Sequence, residues 1–426
     1  MNYQEFFSLA NKKGIEKIQI TEETEKENSI YLIDKKLEDY TDNEKKVYEI
    51  KAEIDGKTEK LLTGYLDETI IDLLLEKISE TESKYEDEYL TKTKNNSIEC
   101  TEVTDITEEI PKIYELEELK KNYPQAKSLE IQYCDSYNKT RIINNDGVDI
   151  ATSSHNYQLY VEVSAETEET IATYSDSILV NNKEEIDFEH IVKTALNLST
   201  IATTKKKLET KRYDMVLSEK VSSYIIGKLR EMLSAESIHK KKSCLDSKMN
   251  KKIFSKKITI LEEPKNKKYP GYVSFDKEGT KTYNKELIKE GIIKTYLYDI
   301  KEAKIEKVES TGNKFDGIST RNMYLVPGEK SLDEIFQTMK NGIFITNYMG
   351  SSGTSVNCNN GEISLQVFGY IIEDGKIVCG FEPAILTTSI FELLSNVEEI
   401  GKELKFTSIS VASPAIFIKN ISVAGQ

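Results

Sequence analysis

The chain has 426 residues, two to three times the usual span of one domain, so two domains of about 200 residues each are expected. Asp and Glu number 73 against 58 Lys and Arg, a net charge of -15, and such a surface repels phosphate backbones and anionic headgroups, disfavouring nucleic-acid and membrane binding. A charged fraction of 31% beside 38% hydrophobic residues, with 24 Tyr and 13 Phe, fits a packed globular protein and argues against disorder.

No apolar run approaches the roughly 20 residues of a membrane span, and the first residues already carry Glu5, Lys12 and Lys13, so a cytoplasmic location is expected. Five cysteines (Cys100, Cys134, Cys244, Cys358, Cys379) without CxxC spacing suit neither a disulfide framework nor a zinc ribbon. Histidine is scarcer: His155, His190 and His239 are the only three.

Residues 3–13 place Phe6, Phe7, Leu9 and Ala10 at helical spacing, ahead of Gly14, predicting an opening helix. Residues 18–65 alternate, as in Ile18-Gln19-Ile20 and Val47-Tyr48-Glu49-Ile50, with a turn at Asp55-Gly56, which predicts three to five antiparallel strands. Behind Asp67 as N-cap, Ile70, Ile71, Leu73, Leu74, Leu75 and Ile78 form one broad face of an amphipathic helix. A second strands-then-helix unit follows: Arg141-Ile142-Ile143, the turn Asn145-Asp146-Gly147, Leu159 to Val163, then a helix over 187–198. This could be an internal duplication or two independent hairpin-helix units. Between them, 79–118 is rich in Glu, Thr, Ser, Lys and Asn and reads as a solvated insertion, with an acidic docking segment as the sharper alternative.

From about 211 the chain changes character. A strand at 213–217 and a helix at 220–233 precede the basic run His239 to Lys242. A strand is expected at 257–261, and extended segments then alternate with glycine-bearing turns to the end, at 342–345, 367–372 and 415–418, with short helices at 332–340 and 390–396. The expected fold class is therefore α+β in two domains: 1–210, with antiparallel sheets and covering helices, and a mostly β domain at 211–426.

A zinc hydrolase needs convergent ligands, commonly two His one helical turn apart with a Glu. No His here precedes a Glu, and no two share a helix face. None sits in a nucleophile-elbow or cysteine-protease context, and the adjacent pairs Glu262-Glu263 and Glu398-Glu399 read as solvated faces. No catalytic residue, metal ligand or cofactor is assigned. The run Gly350-Ser351-Ser352-Gly353-Thr354 lacks the ending of a P-loop. With Gly361 and Ser364 nearby, it could let another backbone approach, making Gly350, Ser352, Gly353, Gly361 and Ser364 candidate peptide-binding residues; ordinary turn glycines are the alternative.

The ordered motifs of the second half resemble the TldD/PmbA family. They run from Leu245-Asp246-Ser247 and Ile253-Phe254 through Phe275-Asp276-Lys277-Glu278-Gly279, Leu287 to Leu297, Ser310-Thr311-Gly312, Arg321-Asn322 and Pro327-Gly328. They continue through Gly342 to Thr346, Met349-Gly350, Gly361-Glu362-Ile363-Ser364, Gly369 to Lys376 and the terminal Val423-Ala424-Gly425-Gln426. The early part and the ending look most like the PmbA branch, also called TldE. The resemblance implies a cytosolic peptidase in which a TldD subunit carries a His-Glu-x-x-x-His helix, completed by a later cysteine, around zinc. On this chain that helix falls within 221–233, with Ile226, Gly227 and Glu231 at the motif positions and no Cys in 406–414.

The expected function is then a metal-free PmbA/TldE-like subunit that partners a TldD-like zinc subunit and holds extended peptide substrate, dimerising with itself in isolation. A homodimeric regulatory protein of the gyrase-modulator type and a stand-alone peptidase are the alternatives.

Overall fold

The computed structural model describes residues 1–81, 102–349 and 355–425. Its first half repeats one order of elements. Helix α1 (Tyr3–Lys12), strands β1 (Lys17–Ile33), β2 (Lys36–Ile54) and β3 (Lys57–Thr63) and helix α2 (Glu68–Glu80) come first. Helix α3 (Ile110–Leu116), β4 (Ala126–Asn144), β5 (Asp149–Glu166), β6 (Ile171–Val180) and α4 (Phe188–Ile201) follow in the same sequence of types. The two sets join through β1 and β4 into one antiparallel sheet, ordered β3-β2-β1-β4-β5-β6, with Glu25 opposite Asn138.

Period-2 alternation divides this sheet into two unlike faces. Ile18, Ile20, Ile50 and Ala52 point to the helical side and pack with Phe6, Ile71 and Leu74 of α1 and α2. On the same side Leu129, Ile131, Leu159 and Val161 pack with Ile113 of α3 and Val192 and Leu196 of α4. The helices start where side chains satisfy their free N–H groups: Asn2 and Glu5 form a capping box, and Asp67 and Asp187 accept from Ile70 and His190.

Part of the segment read as a solvated insertion is ordered and covers the sheet. Residues 107–122 form 3-10 turns around α3, with Ile106 and Ile113 buried and Ile110, Leu116 and Leu119 packed on the same core. These apolar residues recur every three or four positions, but the acidic residues between them mask the stripe. Residues 82–101 lie outside the described residues.

The second half carries β7 (Lys205–Lys206), β8 (Lys211–Leu217), α5 (Glu219–Met232), α6 (Ala235–His239), β9 (Ile260–Glu262), β10 (Lys285–Lys289) and β11 (Ile292–Ile293). Then come α7 (Ile300–Glu306), β12 (Met323–Leu325), α8 (Leu332–Met339), β13 (Gly342–Met349), β14 (Glu362–Glu373) and β15 (Lys376–Phe381). The last elements are β16 (Ala384–Ser389), α9 (Ile390–Ser395), β17 (Val397–Ile400), β18 (Val411–Ala412) and β19 (Ile416–Ala424). Strands β13-β8-β19-β16-β14 close into a barrel because β14 pairs back to β13, which removes free edges among these five. A smaller sheet, β11-β10-β9-β12-β18, stands beside it, and α5 buries Val221, Ile225, Ile226 and Leu229 in the core they share. The whole is α+β, as the pattern predicted. The strand expected at 257–261 is shorter, since Ile258 N–H turns back to Ser255 O and only Ile260–Glu262 is paired.

The halves meet at several points, among them an apolar cluster that joins Leu198 of α4 to Val216, Phe344 and Tyr370. Phe275 packs against Ile142, Val148 and Ile150 on the open face of the six-stranded sheet. Leu179 N–H donates to Phe406 O at 2.8 Å, and the Tyr370 hydroxyl to Leu198 O at 2.9 Å.

Truncating Phe275 removes the apolar plug between the layers, so Phe275→Ala should cost about 3–5 kcal/mol in urea unfolding. A pH test comes from His239, whose ring bonds Glu302 and Glu306. Burial alone would lower its pKa, but the two carboxylates outweigh that and hold it above the ordinary imidazole value. This stabilisation is full below the unfolded pKa and is lost as pH rises through the folded one. His239→Gln should therefore lower the melting temperature more at pH 6 than at pH 9.

Candidate functional site

The open face of the six-stranded sheet is polar. Thr21, Glu23 and Glu25 of β1 share it with Val47 and Glu49 of β2, Asn138 and Thr140 of β4, and Thr152 and Ser154 of β5, as the strand register requires. Facing it are residues 270–277, 315–316, Arg321 and Ile409, and the two surfaces enclose a groove of about 520 Å³. A cleft between two layers with a few convergent charges is the default place for a ligand.

Most charges in the groove are already matched. Lys277 Nζ lies 2.7 Å from both Glu23 and Asp316. The Asp276 carboxylate accepts backbone N–H groups of Glu278, Thr280 and Lys314 at 3.0, 2.9 and 2.9 Å; burial pushes its pKa up to about 7 against these donors, which favour the charged form. Arg321 is different. Its guanidinium lies 3.9 Å over the Phe315 ring and donates through Nη1 to Thr320 O at 3.2 Å. Among the described residues no carboxylate forms a salt bridge with it. Burial, with the charge of Arg230 adding to it, lowers its pKa to about 10 despite Asp316 and Glu262 nearby.

The backbone around Arg321 is tied on every side. Its own N–H donates to Glu262 Oε1 at 2.9 Å. Glu262, fully buried, also accepts from Lys285 Nζ at 2.9 Å and from Asn313 Nδ2 at 2.8 Å, so its oxygens are taken. Thr320 Oγ1 donates to Ser410 O at 3.1 Å. Asn322, at φ +50°, receives Gly271 N–H on Oδ1 at 2.7 Å and donates its own N–H to Ile409 O. Gly271 allows this close approach, because a Cβ there would collide with the Ile409 carbonyl and lie 2.7 Å from Asn322 Oδ1.

Behind this wall, α5 packs on β18 and carries the three positions where the family resemblance places zinc donors. Ile226 is fully buried in the core, Gly227 has Val411 Cγ1 at 3.4 Å from where its Cβ would be, and Glu231 is exposed, 3.8 Å from Lys228. In 406–414 the hydroxyls of Ser408 and Ser413 bond to the carbonyls of Val411 and Pro414. The residues present do not fit a zinc ion: two of the three helix positions have no donor atom, and the opposing segment offers only hydroxyls. Among the described residues no group of three or more His, Cys, Asp or Glu is placed to hold a metal.

The peptide-binding residues expected from the sequence fall elsewhere. Gly350, Ser352 and Gly353 lie outside the described residues. Gly361 closes the hairpin between Val356 and Ile363 at φ +80°, and a Cβ there would meet Ile390 and Phe391 at 2.9 and 3.0 Å. Ser364 is exposed on β14, opposite Thr387. Neither lines the groove. His190 is exposed on α4, and His155 is bonded to buried Asp135 inside the sheet. Burial pushes the Cys134 and Cys358 thiols up to about 12, with Glu231 adding to the effect on Cys358, which leaves them protonated and inert.

Two groove features escaped the sequence reading. The polar sheet face looked like solvent-facing alternation, and Arg321 appeared only within the Arg321-Asn322 motif. One signal was available: the chain has four arginines, Arg141, Arg212, Arg230 and Arg321, among 58 basic residues. Arg141 and Arg212 are paired with Asp149 and Glu392.

A helix-covered antiparallel sheet facing, across a polar groove, the loops of a smaller sheet that stands beside a barrel defines a class of two-part α+β proteins, and comparison with known proteins gives the family. Residues 210–425 match the PmbA/TldA metallopeptidase C-terminal domain, and 101–202 match the central domain. The chain belongs to the PmbA/TldD family. It is similar to a metalloprotease PmbA homolog of Buchnera aphidicola, 28% identical over 222 residues, 52% of this chain and 48% of that protein. Its matched part spans about half the length of the first curated relatives. A crystal structure from Thermotoga maritima, solved under the name of a DNA gyrase modulator, superposes with a TM-score of 0.87 at 26% identity, covering 99% of this chain and 100% of that one. TldE from Thermococcus kodakarensis shares the fold at a TM-score of 0.84 and 18% identity, covering 99% of each chain.

The groove wall depends on the missing side chain at Gly271. Gly271→Ala should destabilise the protein by about 1–3 kcal/mol through the forced shift of 320–322 and 409. Hydrogen exchange should locate the loss of protection at those two segments.

Proposed function

We propose that this chain is a metal-free, PmbA/TldE-type subunit that binds extended peptide in the groove between the six-stranded sheet and the loops of the second half, while a TldD-like zinc-bearing relative supplies the hydrolytic centre. The observation that carries this reading is the chemistry of α5. On the register the family resemblance gives, the motif positions of this helix hold Ile226 and Gly227, which offer no donors. The groove itself suits a non-specific hold on a peptide, because hydroxyl, amide and carboxylate groups along its floor can meet main-chain N–H and C=O groups at many registers. Direct contact with DNA is opposed by the net charge of -15. We further propose a cytoplasmic setting, and self-association of the chain when its partner is absent. Whether the hairpin at Gly361 and Ser364 also touches peptide is read separately by Ser364→Ala, which should lower peptide affinity without changing the melting temperature.

The purified chain, desalted after exposure to zinc, should hold less than stoichiometric metal by elemental analysis and cleave no unstructured peptide. Mixed with a relative carrying His-Glu-x-x-x-His, it should co-elute and turnover should appear. About one tightly bound zinc per chain, or turnover by the chain alone, would overturn the reading.

A further inference from the structure

Two of the four arginines are placed against electrostatic preference. Arg230 on α5 and Arg321 in the groove wall are both half-buried; burial is the main influence lowering the pKa of each, and the charge of Arg230 adds to it at Arg321, against the carboxylates of Asp316 and Glu262. Among the described residues neither has a carboxylate within salt-bridge distance, although the chain has 73 acidic residues and its other two arginines are each paired with one. The nearby buried carboxylate, Glu262, is occupied by Lys285, Asn313 and the Arg321 backbone. Asp316, in the groove mouth, is bonded to Lys277. A half-buried cation with no carboxylate at bonding distance costs free energy, and here it is held in place, its guanidinium laid over Phe315 and donating to Thr320 O and its backbone pinned through Glu262, Thr320 and Asn322. Such a fork is preorganised to take an anion bidentately.

We infer that Arg321, with Arg230 adding positive potential behind it, is a carboxylate receptor that anchors one end of the bound chain in the groove. The inference rests on the peptide-binding reading and adds a polarity to it, since one carboxylate on the peptide sets its direction and register. A carboxylate fits better than a phosphate dianion, because Glu23, Glu25, Glu49, Asp276 and Asp316 line the same groove and repel a doubly charged ligand. The carboxylate can come from the peptide terminus or from an acidic side chain, and the two sources are separable.

The test uses the full chain and a fluorescent ten-residue unstructured peptide in three forms: free acid, C-terminal amide, and free acid with internal Asp and Glu replaced by Asn and Gln. Loss of about tenfold in affinity on amidation assigns the terminal carboxylate, and the same loss on side-chain neutralisation assigns an acidic residue. In either case Arg321→Gln should erase the difference and Arg321→Lys should restore only part of it. Equal binding of all three forms by the wild-type chain overturns the inference, as does undiminished binding of the free acid by Arg321→Gln. If no peptide binds, the peptide reading fails, and the receptor is then judged with N-acetylglycine, which should raise the wild-type melting temperature where N-acetylglycinamide does not; no difference overturns it. Should Arg321→Gln fail to fold, the acid-against-amide comparisons on the wild-type chain decide alone.

Discussion

A carboxylate with no exposed surface must find its partners inside the protein, and Glu262 finds three from distant parts of the chain. Lys285 neutralises it from the neighbouring strand, Asn313 donates from the loop that follows α7, and the backbone N–H of Arg321 closes the set. Removing any one donor would leave a desolvated charge, at a cost of about 3–5 kcal/mol where the lost group is the ion-pair partner. The loop from Asn313 to Asn322 is thereby welded to β9 and β10, and what that loop presents to the groove, Phe315, Asp316 and Arg321, inherits its position from this one buried charge.

The groove exists because the two layers cannot close on each other. The helical side of the six-stranded sheet is apolar and covered, whereas its other side presents Thr, Ser, Asn, Glu and Lys. Burying that row against an apolar surface would strand its donors and acceptors. The second half therefore packs on the polar face where an apolar patch exists, at Ile142, Ile150 and Phe275, meets the sheet elsewhere through polar bonds such as Lys277 to Glu23 and Ser274 N–H to Thr152, and between these leaves an opening that solvent or a peptide backbone can satisfy. Contact and cavity are two outcomes of one alternation of side chains.

Helix α5 is placed by capping and packing. The Ser218 side chain caps it, and Val221, Ile225, Ile226 and Leu229 hold it in the core, so packing alone accounts for its place and no metal is required to fold it. A position where the family resemblance puts a zinc donor is here a core residue. The fold is shared with structures only 18–26% identical in sequence, and a fold held in common does not by itself fix the chemistry.

Local periodicity made much of the secondary structure legible. The amphipathic stripes of α1, α2, α4 and α5, the Asp67 cap of α2, and the apolar runs of β8, β13, β14 and β19 are each decided within a dozen residues, where the pattern of burial is written directly. The family motifs of the second half were legible for the same reason. Three things were not. The helical segment at 107–122 hid its stripe among acidic residues. Strands β1, β2, β4 and β5 run past their apolar ends because the polar face of the sheet needs partners rather than hydrophobicity. The groove joins residues 21–49, 138–154, 270–277, 315–321 and 409, and no local pattern brings those together. That the sequence holds only four arginines was readable from composition; that two of them are half-buried with no carboxylate at salt-bridge distance among the described residues was decided by the tertiary structure, because pairing is a matter of distance in space and the chain encodes only order.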